Sequence, residues 1–250
     1  MSEFADLRWD LSYAEAISMQ TTLASQVIQQ DDLTEITRVA GVDVGFEDNG
    51  RVTRAAVAVL AFPALELLDY TIAKVPTRMP YIPGLLSFRE CPAILAALGQ
   101  LRITPDLLLC DGQGMAHPRR FGVACHVGVL TGLPAIGVAK SRLCGNSDTL
   151  PEQKGARVEL RDNNEVIGSV LRSRSATRPL YISIGHRISL NTAVHYVESC
   201  LTRFRLPETT RWADALASNR GQAVARANQI LARQRFLRSG SYSPGGLCRK

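Results

Sequence analysis

Two short runs restrict this chain more than anything else in it. Asp106-Leu-Leu-Leu-Cys-Asp111 and Leu133-Pro-Ala-Ile-Gly-Val-Ala139 are apolar over strand length, with no polar alternation. Strands read this way when both faces are buried, as in a parallel sheet covered by helices on each side. A helix expected over roughly 119–130 separates them, which is the crossover that parallel neighbours require. The 250 residues are 46% hydrophobic, enough for one well-packed core.

Upstream the pattern changes. Thr37–Phe46 reads as a strand that carries Asp43 between Val42 and Val44, a costly setting for a carboxylate unless it is paired or bound to a cation. Asp48-Asn-Gly50 is a hairpin signal. Thr53–Phe62 follows as a second strand, Pro63-Ala64 turns the chain, and Leu65–Val75 gives a third. An antiparallel meander followed by alternating helix and strand predicts a mixed α/β sheet flanked by helices, ordered 3-2-1-4-5. Asp43 and Asp111 then face each other across adjacent strands. That arrangement is characteristic of the ribonuclease-H-like fold.

Between the meander and the fourth strand lies Met79-Pro-Tyr-Ile-Pro-Gly-Leu-Leu-Ser-Phe-Arg-Glu90. Pro80 and Pro83 fix φ, so Tyr81 and Ile82 are expected to be extended and protruding. Gly84 releases the chain into a helix over about 84–101, with Leu85, Leu86 and Phe88 on its buried side and Glu90 within reach of the two aspartates. Taken alone, the stretch also reads as an ordinary turn leading into an ordinary helix. Asp214, in the early turns of a last helix that starts near Leu206, could join the acids or simply serve the helix dipole. Clustered carboxylates repel one another unless a divalent cation lies between them, which points to magnesium, with manganese able to substitute. Two such ions roughly 3.5–4 Å apart suit hydrolysis of a phosphodiester.

The remaining elements look peripheral. An amphipathic helix is expected within 11–30, a surface loop over 144–156, a hairpin from Arg157–Arg161 to Glu165–Leu171 around Asp162-Asn-Asn164, a strand at Leu180–Ile184, and a helix capped by Ser189. No apolar run approaches a membrane span, and Met1–Asp6 lacks the layout of a signal peptide, so a soluble cytoplasmic protein without a membrane partner is expected. The six cysteines are widely spaced and form no zinc pattern with the four histidines, which predicts reduced, mostly buried thiols.

The net charge of +6 is uneven. From Arg220 onward there are seven positive residues and no acid, which leaves 1–219 near −1. A basic tail of this kind either grips phosphates or is simply solvated. The expected organisation is one nuclease-like domain over 1–235 and a basic, disordered tail over 236–250.

Four long segments carry a resemblance: Gly41-Val-Asp-Val-Gly-Phe46, Met79–Glu90, Asp111-Gly-Gln-Gly-Met-Ala-His-Pro-Arg-Arg-Phe-Gly-Val-Ala-Cys-His126 and Gly137-Val-Ala-Lys-Ser-Arg-Leu143. Together with Gly185-His-Arg-Ile-Ser189 and Arg211-Trp-Ala-Asp214, they are similar to the endonuclease V family, the deoxyinosine 3′ endonucleases of DNA repair, over about 11–218. The resemblance implies a magnesium-dependent nick at the second phosphodiester 3′ to a deaminated base, leaving 3′-hydroxyl and 5′-phosphate ends. It implies Asp43 and Asp111 as metal ligands, Glu90 as a third catalytic acid, Asp214 where the family places a further acid or a histidine, and Lys140 near the scissile phosphate. It implies a strand-separating wedge at Tyr81, within Pro80–Pro83, and a base pocket lined by Gly84, Leu86, Gly122, Val123 and Leu143. Gln113 departs from the histidine that many members carry there.

The implied chemistry is coherent. Extruding a base costs a few kcal/mol, less at a mismatch, and an apolar wedge can fill the gap. His117 is a candidate for a phosphate contact or for ordering its loop. Arg119 and Arg120, at an expected helix start, oppose the helix dipole and make better sense meeting phosphates. The expected partner is DNA containing deoxyinosine or other deaminated bases, acted on by a monomer. A structure-selective nuclease for flaps or mismatches, an endonuclease for inosine-containing RNA, and a silent nucleic-acid binder are the alternatives. The intact acids argue against the last.

Overall fold

The structure, a computed structural model, describes residues 8–239. Strands β1 (Arg38–Glu47) and β2 (Val52–Ala61) pair antiparallel around Asp48–Gly50, where all three residues have positive φ. Asp, Asn and Gly are the types that tolerate this conformation, so the turn and its register are written locally. Strand β3 (Leu67–Pro76) completes the meander. Strand β4 (Leu107–Cys110) then pairs parallel with β1, and β5 (Ala135–Ala139) pairs parallel with β4.

The hairpin of β6 (Arg157–Asp162) and β7 (Glu165–Leu171) joins the same sheet through β8 (Leu180–His186), which is antiparallel to β5. One eight-stranded sheet results, ordered β3-β2-β1-β4-β5-β8-β7-β6. The expected 3-2-1-4-5 order is its first five strands. The strands read as peripheral extend it rather than standing apart.

Helices cover both faces. On one side lie α1 (Tyr13–Ala24), α2 (Leu86–Leu98) and α3 (Val123–Thr131), around Ala16, Phe88, Ile94 and Val127. On the other lie α4 (Leu190–Ser199), α5 (Glu208–Ala217) and α6 (Ala223–Ser239), around Val194, Trp212, Leu216 and Leu231. Leu107 and Leu109 of β4 face the second layer, Leu108 and Cys110 the first. All three leucines are fully buried. Each contributes roughly 1.5–3 kcal/mol relative to exposure, so a strand of four residues is well anchored.

Helix boundaries depart from the sequence expectation where caps decide them. A capping box of Ser12 and Glu15 starts α1, which ends at Ala24, well short of residue 30. Gly84 sits in a turn, so α2 starts at Leu86. Arg120 adopts positive φ, and α3 starts only at Val123, with Gly122 as its N-cap.

Helix α6 was not anticipated. It buries Ala223, Ala227 and Leu231 at four-residue spacing, and Tyr70 of β3 donates a 2.7 Å hydrogen bond to Asn228. Its run to Ser239 carries helix through the boundary expected at 235/236. The rest of the expected tail, 240–250, lies outside the described residues, as does the N-terminal segment 1–7. Among the described residues no helix is long and apolar enough to cross a membrane.

Candidate active site

The site begins with two glycines. Gly41, Asp43 and Gly45 alternate along β1 and share one face. A Cβ at Gly41 would stand 2.0 Å from the carbonyl oxygen of Thr209, and one at Gly45 would stand 2.9 Å from that of Ala217. Helix α5 therefore rests directly on the β1 backbone, and Asp214 arrives beside Asp43. The parallel register pairs Val42 with Cys110, and the Asp111 amide donates a 2.8 Å hydrogen bond to the Val42 carbonyl. Asp111 thus leaves β4 alongside Asp43. Carboxylate oxygens of Asp43, Asp111 and Asp214 all lie within 4.8 Å of one another.

Glu90 stands apart from this trio. It rides on α2, which packs on the opposite face of the sheet, and it is buried. Its carboxyl is close enough to feel the charges of Asp43 and Asp111, and it lines the same cavity as Asp111. Lys140, just past β5, is ion-paired with Asp111 and donates a 2.9 Å bond to Asp214 Oδ1. The guanidinium of Arg220 takes Asp214 Oδ2.

Two full charges 4.8 Å apart repel by roughly 3–4 kcal/mol at an effective dielectric of about 20. The site answers by holding protons. Burial, then the Asp111 charge, pushes Asp43 up to about 7. Burial, then Asp43 and Asp111, pushes Glu90 up to about 8. Asp111 rises as well, burial prevailing over the pull of Lys140. Burial works to lower the Lys140 ammonium, but Asp111 and Asp214 outweigh it and hold it above its usual range. The three clustered aspartates offer oxygen donors only, the ligand type that a hard divalent ion prefers. The residues present fit such an ion.

The Pro-rich stretch forms a turn in which the Leu85 amide donates 3.0 Å to the Ile82 carbonyl. Pro83 and Gly84 (φ +79°) occupy its two central positions, where a type II turn wants proline and glycine. Tyr81 is 66% exposed. Ile82, expected to protrude with it, leans onto the core instead. Leu86, expected on the buried side of α2, is exposed and lines a cavity of about 290 Å³. Gly84, Gly122, Val123 and Leu143 line the same cavity, as do Tyr81 and Lys140. Pro80 does not reach it but is exposed beside Tyr81.

The three expected phosphate contacts are directed inward. Burial, helped by Arg119, holds His117 down at about 4, and its Nδ1 accepts from the Arg119 amide. A neutral, buried ring offers no charge to a phosphate. Arg120 is ion-paired with Asp162 and Glu165 on the β6–β7 hairpin. Arg119 donates to the Gly84 carbonyl at 2.7 Å and to Gln20. The helix start that motivated their assignment lies further on, at Val123, so the dipole argument does not apply to them.

Sequence reasoning missed Gln20. It is fully buried on α1, and its amide donates to the carbonyls of Gly84 and Phe121. The only sequence signal was a glutamine within an amphipathic helix. It also missed His126, which touches Ser87 at 3.0 Å amid Trp9, Phe88 and Phe121. Gln113 donates to the Ser141 carbonyl at 2.9 Å, and its Oε1 has no partner among the described residues.

Comparison with known proteins places this geometry. The family model described as Endonuclease V matches residues 21–215. A protein named Endonuclease V from Rippkaea orientalis is 58% identical over 213 residues, 85% of this chain and 93% of its own length. The crystal structure of the Endonuclease V from Streptomyces avermitilis has a TM-score of 0.80 at 39% identity, covering 88% of this chain and 96% of that one. That of the Ciona intestinalis Endonuclease V, in complex with a 24mer DNA containing an inosine followed by a ribo-adenosine, has a TM-score of 0.72 at 28% identity, covering 82% of this chain and 96% of that one. On the match over most of its length and on relatives of this identity, the chain belongs to the endonuclease V family, enzymes that hydrolyse DNA internally, and its sheet is ribonuclease-H-like.

Proposed function

We propose that the protein is a DNA repair endonuclease that recognises deoxyinosine and hydrolyses the second phosphodiester 3′ to it, leaving 3′-hydroxyl and 5′-phosphate. The observation that carries this reading is the opening of Asp111, Glu90 and Lys140 onto the same cavity as Gly84, Leu86, Gly122, Val123 and Leu143. Base capture and phosphate chemistry then share one cleft. At about 290 Å³ the cavity is at the small end of ligand sites (roughly 300–1,000 Å³), which suits one base rather than a larger ligand. The inosine in the Ciona relative's complex supports the choice of base.

The roles follow from placement. Asp43 and Asp111, with Asp214, would hold magnesium or manganese, which when bound supplies Lewis acidity at the phosphate. Glu90, buried and holding its proton to about 8, is a proton carrier at the edge of the trio. Lys140 balances charge that develops on the phosphate. Tyr81, exposed at the tip of a proline-stiffened turn, fills the gap left by the base. Arg119 and Gln20 hold that turn. The trio is complete within one chain, which supports a monomer. The free thiols of Cys91, Cys110, Cys125, Cys144 and Cys200 suit a reducing compartment such as the cytoplasm.

The test is a nicking assay on an end-labelled duplex with one deoxyinosine, with magnesium or a chelator, beside flap, mismatch, inosine-RNA and undamaged substrates. A single cut one nucleotide beyond the lesion, only with the metal, is expected. Equal cutting of the undamaged duplex overturns the lesion reading, and faster cutting of flap or RNA reassigns the substrate.

A further inference from the structure

A second cavity, of about 330 Å³, is lined by Asp214 together with Arg211, Trp212, Arg220 and Arg226. Arg220 and Arg226 lie beyond the residues that the family model matches. The turn from α5 to α6 puts them there. Asn219, Gly221 and Gln222 all have positive φ, and this folds the chain back so that Arg220 reaches Asp214. The other two guanidiniums are held by rings. Arg226 stands 5.1 Å over Trp212, and Arg211, paired with Glu208, stands 4.2 Å over Phe204. Among the described residues Arg226 has no acidic partner, and it is exposed.

Asp214 carries Lys140 on one oxygen and Arg220 on the other. A divalent ion that takes this carboxylate competes with both of them for its charge. Arg220 is the outer of the two, with its side chain 65% exposed against 36% for Lys140, and it is the one that can swing away without leaving a buried charge unpaired. Released, it leaves three guanidiniums around one cavity, whose lining acid, Asp214, is then taken up by the ion and whose neighbouring acid, Glu208, is paired with Arg211. A planar fork of N–H donors matches phosphate oxygens.

We propose that Arg220 and Arg226 bind a backbone phosphate of the nucleic-acid strand next to the one that is cut, and that occupation of Asp214 by a divalent ion frees Arg220 to do so. This rests on the nuclease reading of the adjoining acids but not on the choice of lesion. The ion and the strand then support each other's binding, because each competes for one side of the Asp214–Arg220 pair.

The experiment is equilibrium binding by fluorescence anisotropy over a series of salt concentrations. Full-length protein is used with an inosine duplex and an undamaged one, in calcium or in chelator, with strand integrity checked on each sample. Losing one phosphate contact lowers the slope of log affinity against log salt by about 1, by a similar factor on any sequence. In calcium, Arg220→Gln is expected to lower the slope by about 1 on both duplexes, and Arg220→Lys to restore it. In chelator, Arg220→Gln is expected to leave the slope unchanged. Arg226→Gln, on an exposed side chain, is expected to lower the slope in both conditions. An unchanged slope for Arg220→Gln in calcium overturns the phosphate contact, and an equal fall in both conditions overturns its coupling to the ion. If wild-type protein shows no preference for the inosine duplex, the lesion reading fails while the slopes still decide this one.

Discussion

Arg119 holds the carbonyl of Gly84. Its Nη2 donates a 2.7 Å hydrogen bond to that oxygen, and a Cβ at Gly84 would stand 2.7 Å from the same nitrogen. The contact joins the loop before α3 to the turn that presents Tyr81, across 35 residues of chain. Gln20 braces the arrangement from α1 with a 3.0 Å bond to the same carbonyl. The turn is therefore held from two separate elements.

Arg119→Ala is expected to cost about 1.5–3 kcal/mol, the range for a hydrogen bond from a charged donor. It should also weaken binding of the inosine duplex more than that of an undamaged one. Urea denaturation and anisotropy together check it. Gly84→Ala is expected to act in the same direction, since positive φ and the guanidinium both oppose the added methyl.

Asp214→Asn is expected to lower nicking about a thousandfold or more. Metal-site chemistry is worth several kcal/mol, and each 1.36 kcal/mol or so is a factor of ten. Single-turnover cleavage at saturating protein measures it. Activity within tenfold of wild type would remove Asp214 from the metal site and leave Asp43 and Asp111 alone there.

The protein without metal is expected to lose stability as pH rises from about 6.5 to about 8. Unfolded Asp and Glu titrate near 4, while Asp43 is held at about 7 and Glu90 at about 8. Through that window the folded state binds more protons than the unfolded one, so rising pH favours unfolding. Below about 6.5 the sign is mixed. His117 at about 4 and His126 at about 3, both lowered chiefly by burial, make the folded state gain as pH rises toward the unfolded histidine value. Melting temperatures in chelator from pH 6.5 to 8.5 should fall, magnesium should raise them most at the alkaline end, and Glu90→Gln should flatten the curve while reducing nicking.

Tyr81→Ala is expected to change stability by less than about 0.5 kcal/mol, since the side chain is 66% exposed, and to weaken inosine binding severalfold. Ile82→Ala is expected to do the reverse, costing stability because Ile82 packs on the core. If Tyr81→Ala leaves binding of the inosine duplex unchanged, the exposed ring is a surface residue and no wedge.

Much of the fold is legible in the sequence because short-range rules decide it. Leu107–Cys110 and Ala135–Ala139 have no polar position, so only an interior strand suits them, and Asp48-Asn-Gly50 sets the register of β1 on β2. The pairing of Asp43 with Asp111 follows from those two facts. What is hidden is set by distant backbone. Nothing in the letters near Gln20 says that its amide will meet two carbonyls, 64 and 101 residues away. Arg119 and Arg120 look like phosphate ligands until Arg120 takes positive φ and the helix start shifts to Val123. Helix α6 is missed because its apolar stripe consists mostly of alanines among arginines, which resembles a basic tail until β3 and α5 supply a surface to bury it.

The three clustered aspartates come from positions 43, 111 and 214, near the start, the middle and the end of the fold. A ribosome-bound chain that has released only its first two hundred residues already holds Asp43, Glu90 and Asp111, but not the helix that delivers the third aspartate. The cluster of three aspartates is therefore completed only when α5, the last described element but one, has emerged.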